Sequence, residues 1–166
     1  MNKATQKVLF SSEQSEWETP PDFFKMLDRH YKFTLDAAAS DSNHLCKKYF
    51  TEKDDALSRS WGNGRVFINP PYGRGIGAWT AHAFEEAKKG TFSVMLLPAR
   101  MDTKWFHEWC HESRVRLIQG RLMFLLNGKP MLDKKGNPTR APFPSMLVYF
   151  EPEVDLGRGR WIHGKY

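Results

Sequence analysis

The sequence predicts an α/β protein: a largely parallel sheet flanked by helices, with antiparallel strands at its edge. Three observations carry that reading. Short β-branched and aromatic runs, Arg65-Val66-Phe67-Ile68 and residues 92–97, alternate with stretches such as 76–89 whose apolar residues recur at helical spacing. Turn chemistry separates them, with Gly62-Asn63-Gly64 before one strand and Gly90 closing one helix. A late pair of strand-like runs, 122–126 and 145–150, flanks a loop rich in Gly, Lys and Pro instead of a helix.

Taken in order, residues 1–15 read as a flexible arm, 16–152 as one domain and 153–166 as a basic tail carrying Arg158 and Arg160. Thr19-Pro20-Pro21-Asp22 opens a helix: Thr19 suits the cap and the prolines suit the first turn, with Phe23, Phe24, Leu27 and Tyr31 on the apolar face. Residues 32–35 form a short strand ending at Asp36, followed by the small-residue turn Ala37-Ala38-Ala39-Ser40. The stretch 41–60 has room for one short helix and one short strand around 48–51. Strand 65–68 runs straight into Asn69-Pro70-Pro71-Tyr72. After the helix at 76–89 come a strand at 92–97, a helix at 102–112 capped near Asp102 or Thr103, and a strand at 114–118. Open α/β sheets bind ligands beyond the carboxyl ends of their strands. Asp36 and Asn69 each lie just past such an end and should share one crevice.

The 166 residues make one compact domain. A net charge of +6 favours an anionic partner, with nucleic acid ahead of an anionic membrane or chance. The 14% aromatic share, with six Trp, fills a core and also offers platforms for nucleobases. Cys46 and Cys110 have neither disulfide-scaffold nor metal spacing, which suits a reducing cytoplasm. No apolar run reaches membrane-spanning length, and residues 1–14 hold no signal-peptide core, so a soluble cytoplasmic protein is expected.

Asn69-Pro70-Pro71-Tyr72 is the most informative tetrapeptide. It suits methylation of an aromatic amine, whose lone pair is delocalised into the ring. Two acceptors binding both N–H groups favour the sp3 geometry needed for attack. The Asn69 carboxamide oxygen supplies one and the Pro70 carbonyl the other. Consecutive prolines hold that carbonyl rigidly, and Tyr72 offers a ring face for stacking. Preorganised groups of this kind contribute roughly 3–4 kcal/mol each in comparable sites. Asparagine is no general base, so the proton leaves later to water, and no metal or nucleophilic residue is required. Taken alone, a rigid turn after a strand fits the same four residues.

Asp36 with Ala37 and Ala38 lets a ligand approach the backbone beside an acid, although taken alone a helix cap or a tightly packed turn is the favoured reading there. Asp54 and Asp55 suit a ribose or an adenine amine, but as an isolated pair they read first as a solvated turn. His107 and His111, four apart with Cys110 between them, invite a zinc reading that lacks further ligands at fitting spacing.

The ordered combination Glu16-Trp17-Glu18-Thr19-Pro20, Phe33 through Ala39, Asn43 through Cys46, Tyr49-Phe50-Thr51, Asp54-Asp55-Ala56-Leu57, Trp61, Ile68 through Gly73, Leu96 through Arg100 and Asp102 through Phe106 resembles the phage-type DNA N-6-adenine methyltransferase family. The resemblance spans residues 16–150. It implies a shortened class I, Rossmann-like methyltransferase sheet and S-adenosylmethionine as donor, leaving S-adenosylhomocysteine. It also implies transfer to adenine N6 in DNA; that amine is paired inside a duplex, so the base must be flipped out, and with no separate recognition domain a short or permissive target is expected. By motif, Trp17, Thr19 and Pro20 border the methionine end of the donor. Asp36, Ala37 and Ala38 form its floor, Asp54 and Asp55 lie near its adenine, and Asn69, Pro70, Pro71 and Tyr72 hold the base. Arg121 and Phe124 fall near the target pocket. Two departures from methyltransferases at large are Ala37-Ala38-Ala39 in place of a glycine-rich loop and the short distance from Asp36 to Asn69.

Arg74, Arg100, Arg121, Lys129, Lys134, Lys135 and Arg140 are the candidates for DNA contact, or else the charges of a solvent-facing hairpin. Two rival functions use the same residues. One is methylation of another planar nitrogen, guanine N2 in RNA or the N5 amide of a protein glutamine. The other is a DNA-binding module that has lost catalysis.

Overall fold

The computed structural model describes residues 17–152; the expected arm at 1–15 and the tail with Arg158 and Arg160 lie outside the described residues. Helix α1 (Pro21–Tyr31) places Pro21 in its first turn, where a missing N–H costs nothing, and turns its Phe24 and Leu27 into the core. Its N-cap is Pro20, with no side-chain cap, rather than Thr19. The Thr19 hydroxyl faces Asn69 instead.

Five strands form the main sheet in the order β1 (Leu35–Asp36), β2 (Arg65–Ile68), β3 (Phe92–Pro98), β7 (Ser145–Phe150), β4 (Arg114–Leu117). β1, β2 and β3 are parallel, whereas β7 is antiparallel to both β3 and β4. The fold is therefore α/β with a mixed sheet. The antiparallel strand is interior and not at the edge as the sequence suggested. Burial explains the difference: every residue of β7 is buried, while β4 carries Arg114, Arg116 and an exposed Leu117 and takes the solvent edge.

The expected strand at 122–126 does not join this sheet. Only Leu125–Leu126 (β5) is extended, and it pairs with Lys129–Pro130 (β6) in a separate ribbon. The turn between them is Asn127-Gly128, both at positive φ (52° and 72°), the signature of a tight two-residue hairpin. The helix foreseen at 102–112 shortens to α3 (Lys104–Trp109), and the one at 76–89 is α2 (Ile76–Lys88).

The sheet has two apolar faces. Val66, Ile68, Met95, Leu97, Met146 and Val148 pack under α2 and α3, whereas Phe67, Val94, Leu96, Leu147 and Tyr149 meet Phe24 and Leu27 of α1. The free edge of β1 is covered by the segment around Tyr49: Asp36 N donates to Lys48 O (3.1 Å) and Phe50 N to Asp36 O (2.9 Å). The short strand foreseen at 48–51 is thus a single parallel bridge. Two 3-10 turns, Glu52–Asp54 and Ala56–Ser58, follow it. No helix among the described residues is long and apolar enough to cross a membrane.

The parallel strands end along one edge, and the segment 119–144 leaves and returns at that edge. Ile118 N bonds Ser145 O (3.0 Å), and Ala99 N bonds Pro144 O (2.8 Å).

The approach to β2 is clamped by Glu86 of α2, which is fully buried. It accepts from Trp61 N (2.6 Å), Ser60 Oγ (2.9 Å) and Lys89 Nζ (2.8 Å). Burial opposes its ionisation, but these donors prevail and hold its pKa below the ordinary value. Glu86→Ala leaves buried donors unpaired, and we expect a loss of about 2–3 kcal/mol in urea unfolding. Urea midpoints of parent and variant check this directly.

Candidate active site

A cavity of about 710 Å³ opens at the carboxyl ends of β1 and β2, a size typical of small-molecule sites. Asp36 and Asn69 both line it: the strand expected at 32–35 is Leu35–Asp36, so Asp36 is its last residue rather than the one after it, and Asn69 follows β2 directly. Ala37, Ala38 and Ala39 form a wall of small side chains beside them. The acidic residues in the lining are Glu18, Asp36, Asp41, Glu52 and Asp55, against Lys53 alone among Lys and Arg. A cavity of that sign stands out in a chain of net charge +6.

Asp36 is 3% exposed, and its carboxylate accepts from Leu45 N (3.1 Å) and Ala38 N (3.4 Å). Burial outweighs those two donors and pushes its pKa up to about 6. The carboxylate thus ties the 43–46 loop to the strand end while staying poised to titrate near neutrality.

The amide of Asn69 has a defined orientation. Its Nδ2 donates to the Trp17 carbonyl and to Thr19 Oγ1 (2.9 Å). A carbonyl only accepts, so the NH2 end must face it and the oxygen must point elsewhere. Oδ1 is buried and has no hydrogen-bond partner among the described residues. The Pro70 carbonyl likewise accepts no hydrogen bond among the described residues. Two neighbouring acceptors are therefore left without a hydrogen-bond partner, the Asn69 oxygen beneath the surface of the cavity wall.

Next to them sits a cluster of aromatic rings. Trp17 meets Phe124 (5.6 Å, 72°) and Phe143 (5.0 Å, 79°) edge to face, and Tyr72 meets the same two (6.1 Å, 87° and 5.7 Å, 70°). The Tyr72 hydroxyl donates to Leu96 O (3.2 Å), and burial pushes its pKa well up. Tyr72 lies outside the cavity lining, whereas Trp17 belongs to both the lining and the ring cluster. Phe143 and Glu18 were missed by the sequence reading. The flanking prolines 142 and 144 were a usable sign of a held aromatic, since they restrict the backbone around Phe143.

Pro20 and Asp54 also stand outside the lining. Asp54 turns back on its own turn, where Oδ2 accepts from Thr51 N and Thr51 Oγ1, both at 2.8 Å. Those bonds, with Arg59 nearby, lower its pKa. Asp55, at φ 49°, is delivered to the cavity by that turn.

The basic candidates are all exposed: Arg74 follows the Asn69–Tyr72 turn, Arg100 follows β3, and the rest lie on the 119–144 segment. Two of these meet, with Arg140 Nη1 donating to Arg121 O (2.8 Å). His107 and His111 have ring centroids 6.4 Å apart, and no group of three or more potential metal ligands occurs among the described residues.

A family model for DNA N-6-adenine-methyltransferases (Dam) matches residues 6–156. The chain belongs to this family. A DNA N-6-adenine-methyltransferase of Escherichia phage T1 is 39% identical over 94 residues, which cover 55% of this chain and 39% of the relative's own length. The chain thus spans well under half of that relative, while the family model takes in the whole described sheet and the cavity.

Within this Dam-family chain the two adjacent aspartates separate by role. Asp54→Ala removes the acceptor that closes the turn and should lower the melting temperature. Asp55→Asn, facing the cavity, should leave it unchanged. Thermal unfolding of the two variants side by side checks the assignment.

Proposed function

We propose that this chain transfers the methyl group of S-adenosylmethionine to N6 of an adenine swung out of DNA. In this reading residues 16–152 are the catalytic domain, a class I, Rossmann-like sheet shortened on one side. The topology supports it: a doubly wound sheet places its first strand centrally, and here β1 is the edge. The half beyond β1 is replaced by the segment that bridges at Tyr49.

The observation that carries the proposal is the Asn69 amide, held by its nitrogen with its oxygen unpartnered. A buried acceptor without a donor is costly, of the order of 1–3 kcal/mol, unless a ligand satisfies it. An amine with two N–H groups satisfies both Asn69 Oδ1 and the Pro70 carbonyl. The cavity beside them suits the donor: its acidic lining fits a cation, and Ala37 and Ala38 leave room at the backbone.

When bound, S-adenosylmethionine supplies an electrophilic methyl group on a positively charged sulfur. The chain's residues do the rest. Asp36, Ala37, Ala38 and Asp55 line the donor's cavity, with Trp17 and Thr19 at its border. Asn69 Oδ1 and the Pro70 carbonyl draw the N6 hydrogens out of the base plane, which returns the lone pair to nitrogen. Asparagine is no general base, so the extra N6 proton would pass to water once the amine carries the methyl group. Half-buried Tyr72 and Phe143, backed by buried Phe124, give the base rings to stack on, the role expected of the Tyr72 face. Arg74, Arg100, Arg121, Lys129, Lys134, Lys135 and Arg140 supply positive charge for DNA phosphates. The family membership favours DNA adenine over RNA guanine or a protein glutamine. The intact amide arrangement favours an enzyme over a binding module.

Asn69→Ala should melt with the parent yet lose roughly 10²–10³-fold or more of methyl transfer. A labelled-methyl assay offering DNA, RNA and protein separately reads this, and parental transfer by the variant, or labelling of RNA or protein instead, sinks the proposal. The donor should also bind more weakly in acid. Asp36 has its pKa raised by burial to about 6, so a cation that needs the ionised carboxylate binds fully above that pH and loses affinity as pH falls through it. Calorimetry should show an affinity drop of about tenfold between roughly pH 7 and 5, and Asp36→Asn should flatten it.

A further inference from the structure

The residue between the two acceptors of the Asn69 amide ties them to the 119–144 segment. Trp17 and Thr19 hold the amide, while the backbone N–H and C=O of Glu18, which also borders the cavity, point to the opposite edge of this extended segment. Glu18 N donates to Leu125 O and Leu125 N to Glu18 O, each at 3.0 Å. The Glu18 carboxylate then accepts from Gly128 N (2.8 Å), inside the tight Asn127-Gly128 turn. Three bonds thus fasten residue 18 to the β5–β6 ribbon, which goes on through Lys129 to Lys134, Lys135 and Arg140.

We propose that Glu18 is a positioning residue through which DNA held on the 119–144 segment sets the Asn69 amide for transfer. This rests on the function proposed above. Asn69 Oδ1 is sealed from solvent, so an incoming amine reaches it only if the surrounding segments shift. The ribbon is the basic segment joined directly to the acceptors of that amide. DNA pulling on Lys129 and its neighbours moves residue 18, and with it the Trp17 carbonyl and the Thr19 hydroxyl. The chemistry is sensitive to such shifts, since a misplacement of about 1 Å can cost 10²-fold in rate.

The test is steady-state methylation of a DNA duplex at saturating donor and DNA, with Glu18→Ala and Glu18→Gln beside the parent. DNA affinity and melting temperature are measured on the same samples. Glutamine keeps an acceptor for Gly128 N, and alanine does not. The expected result is a kcat about tenfold lower for alanine, with DNA affinity and melting temperature near parental, and a kcat within about twofold of the parent for glutamine. A parental kcat for alanine overturns the proposal. So does an equal fall in both variants, which would make the charge itself the cause. A loss confined to DNA affinity or to melting temperature also overturns it, because the contact would then serve only binding or the fold. A parent that methylates no DNA refutes the proposed function, and the coupling with it, whereas the other failures leave that function standing.

Discussion

A carboxamide has a donor end and an acceptor end, and which end faces a ligand depends on what holds the other. At Asn69 the donor end is taken by the Trp17 carbonyl and the Thr19 hydroxyl, two groups some fifty residues earlier in the chain. That long-range contact decides whether the oxygen or the NH2 group of the amide is left unpartnered. If the amide turned over, two carbonyl oxygens would face one another and the acceptor would be lost. The sheet, the 17–19 segment and the ribbon against it all bear on keeping that orientation.

Around this point the protein separates charge by location. The charged residues of the cavity lining are acidic but for Lys53, while Arg74, Arg100 and the basic residues of the 119–144 segment lie exposed outside it. On the function proposed above, this separation would sort a cationic donor from a polyanionic substrate. The aromatic rings stand between the two regions, and Trp17 belongs to both.

Much of this was legible in the chain. Strand ends are readable from buried β-branched runs that stop at polar residues, so Asp36 and Asn69 could be set on one crevice without coordinates. Other features depend on contacts that no local pattern encodes. Asp54 and Asp55 are identical in type and adjacent, yet a one-residue step round a tight turn sends one back to Thr51 and the other to the cavity. Thr19 looked like a helix cap because its neighbours are cap-like, but its hydroxyl has a distant partner. The antiparallel strand was foreseen, but not its place: only its complete burial, beside the arginines of β4, puts it inside the sheet. Asn127-Gly128 carried a clear hairpin signal, and reading 122–126 as one continuous strand obscured it.

The interior position of β7 has a consequence for how the molecule is made. β4 touches the rest of the sheet only through β7, which is translated some thirty residues later. During synthesis the α2–β3 portion can pack early, but β4 must wait on the ribosome with its hydrogen-bonding edge unfilled. Pairings so distant in sequence close slowly, because loop entropy is lost before any contact compensates. The rim that carries the 119–144 segment is therefore the last part of this sheet edge to take shape.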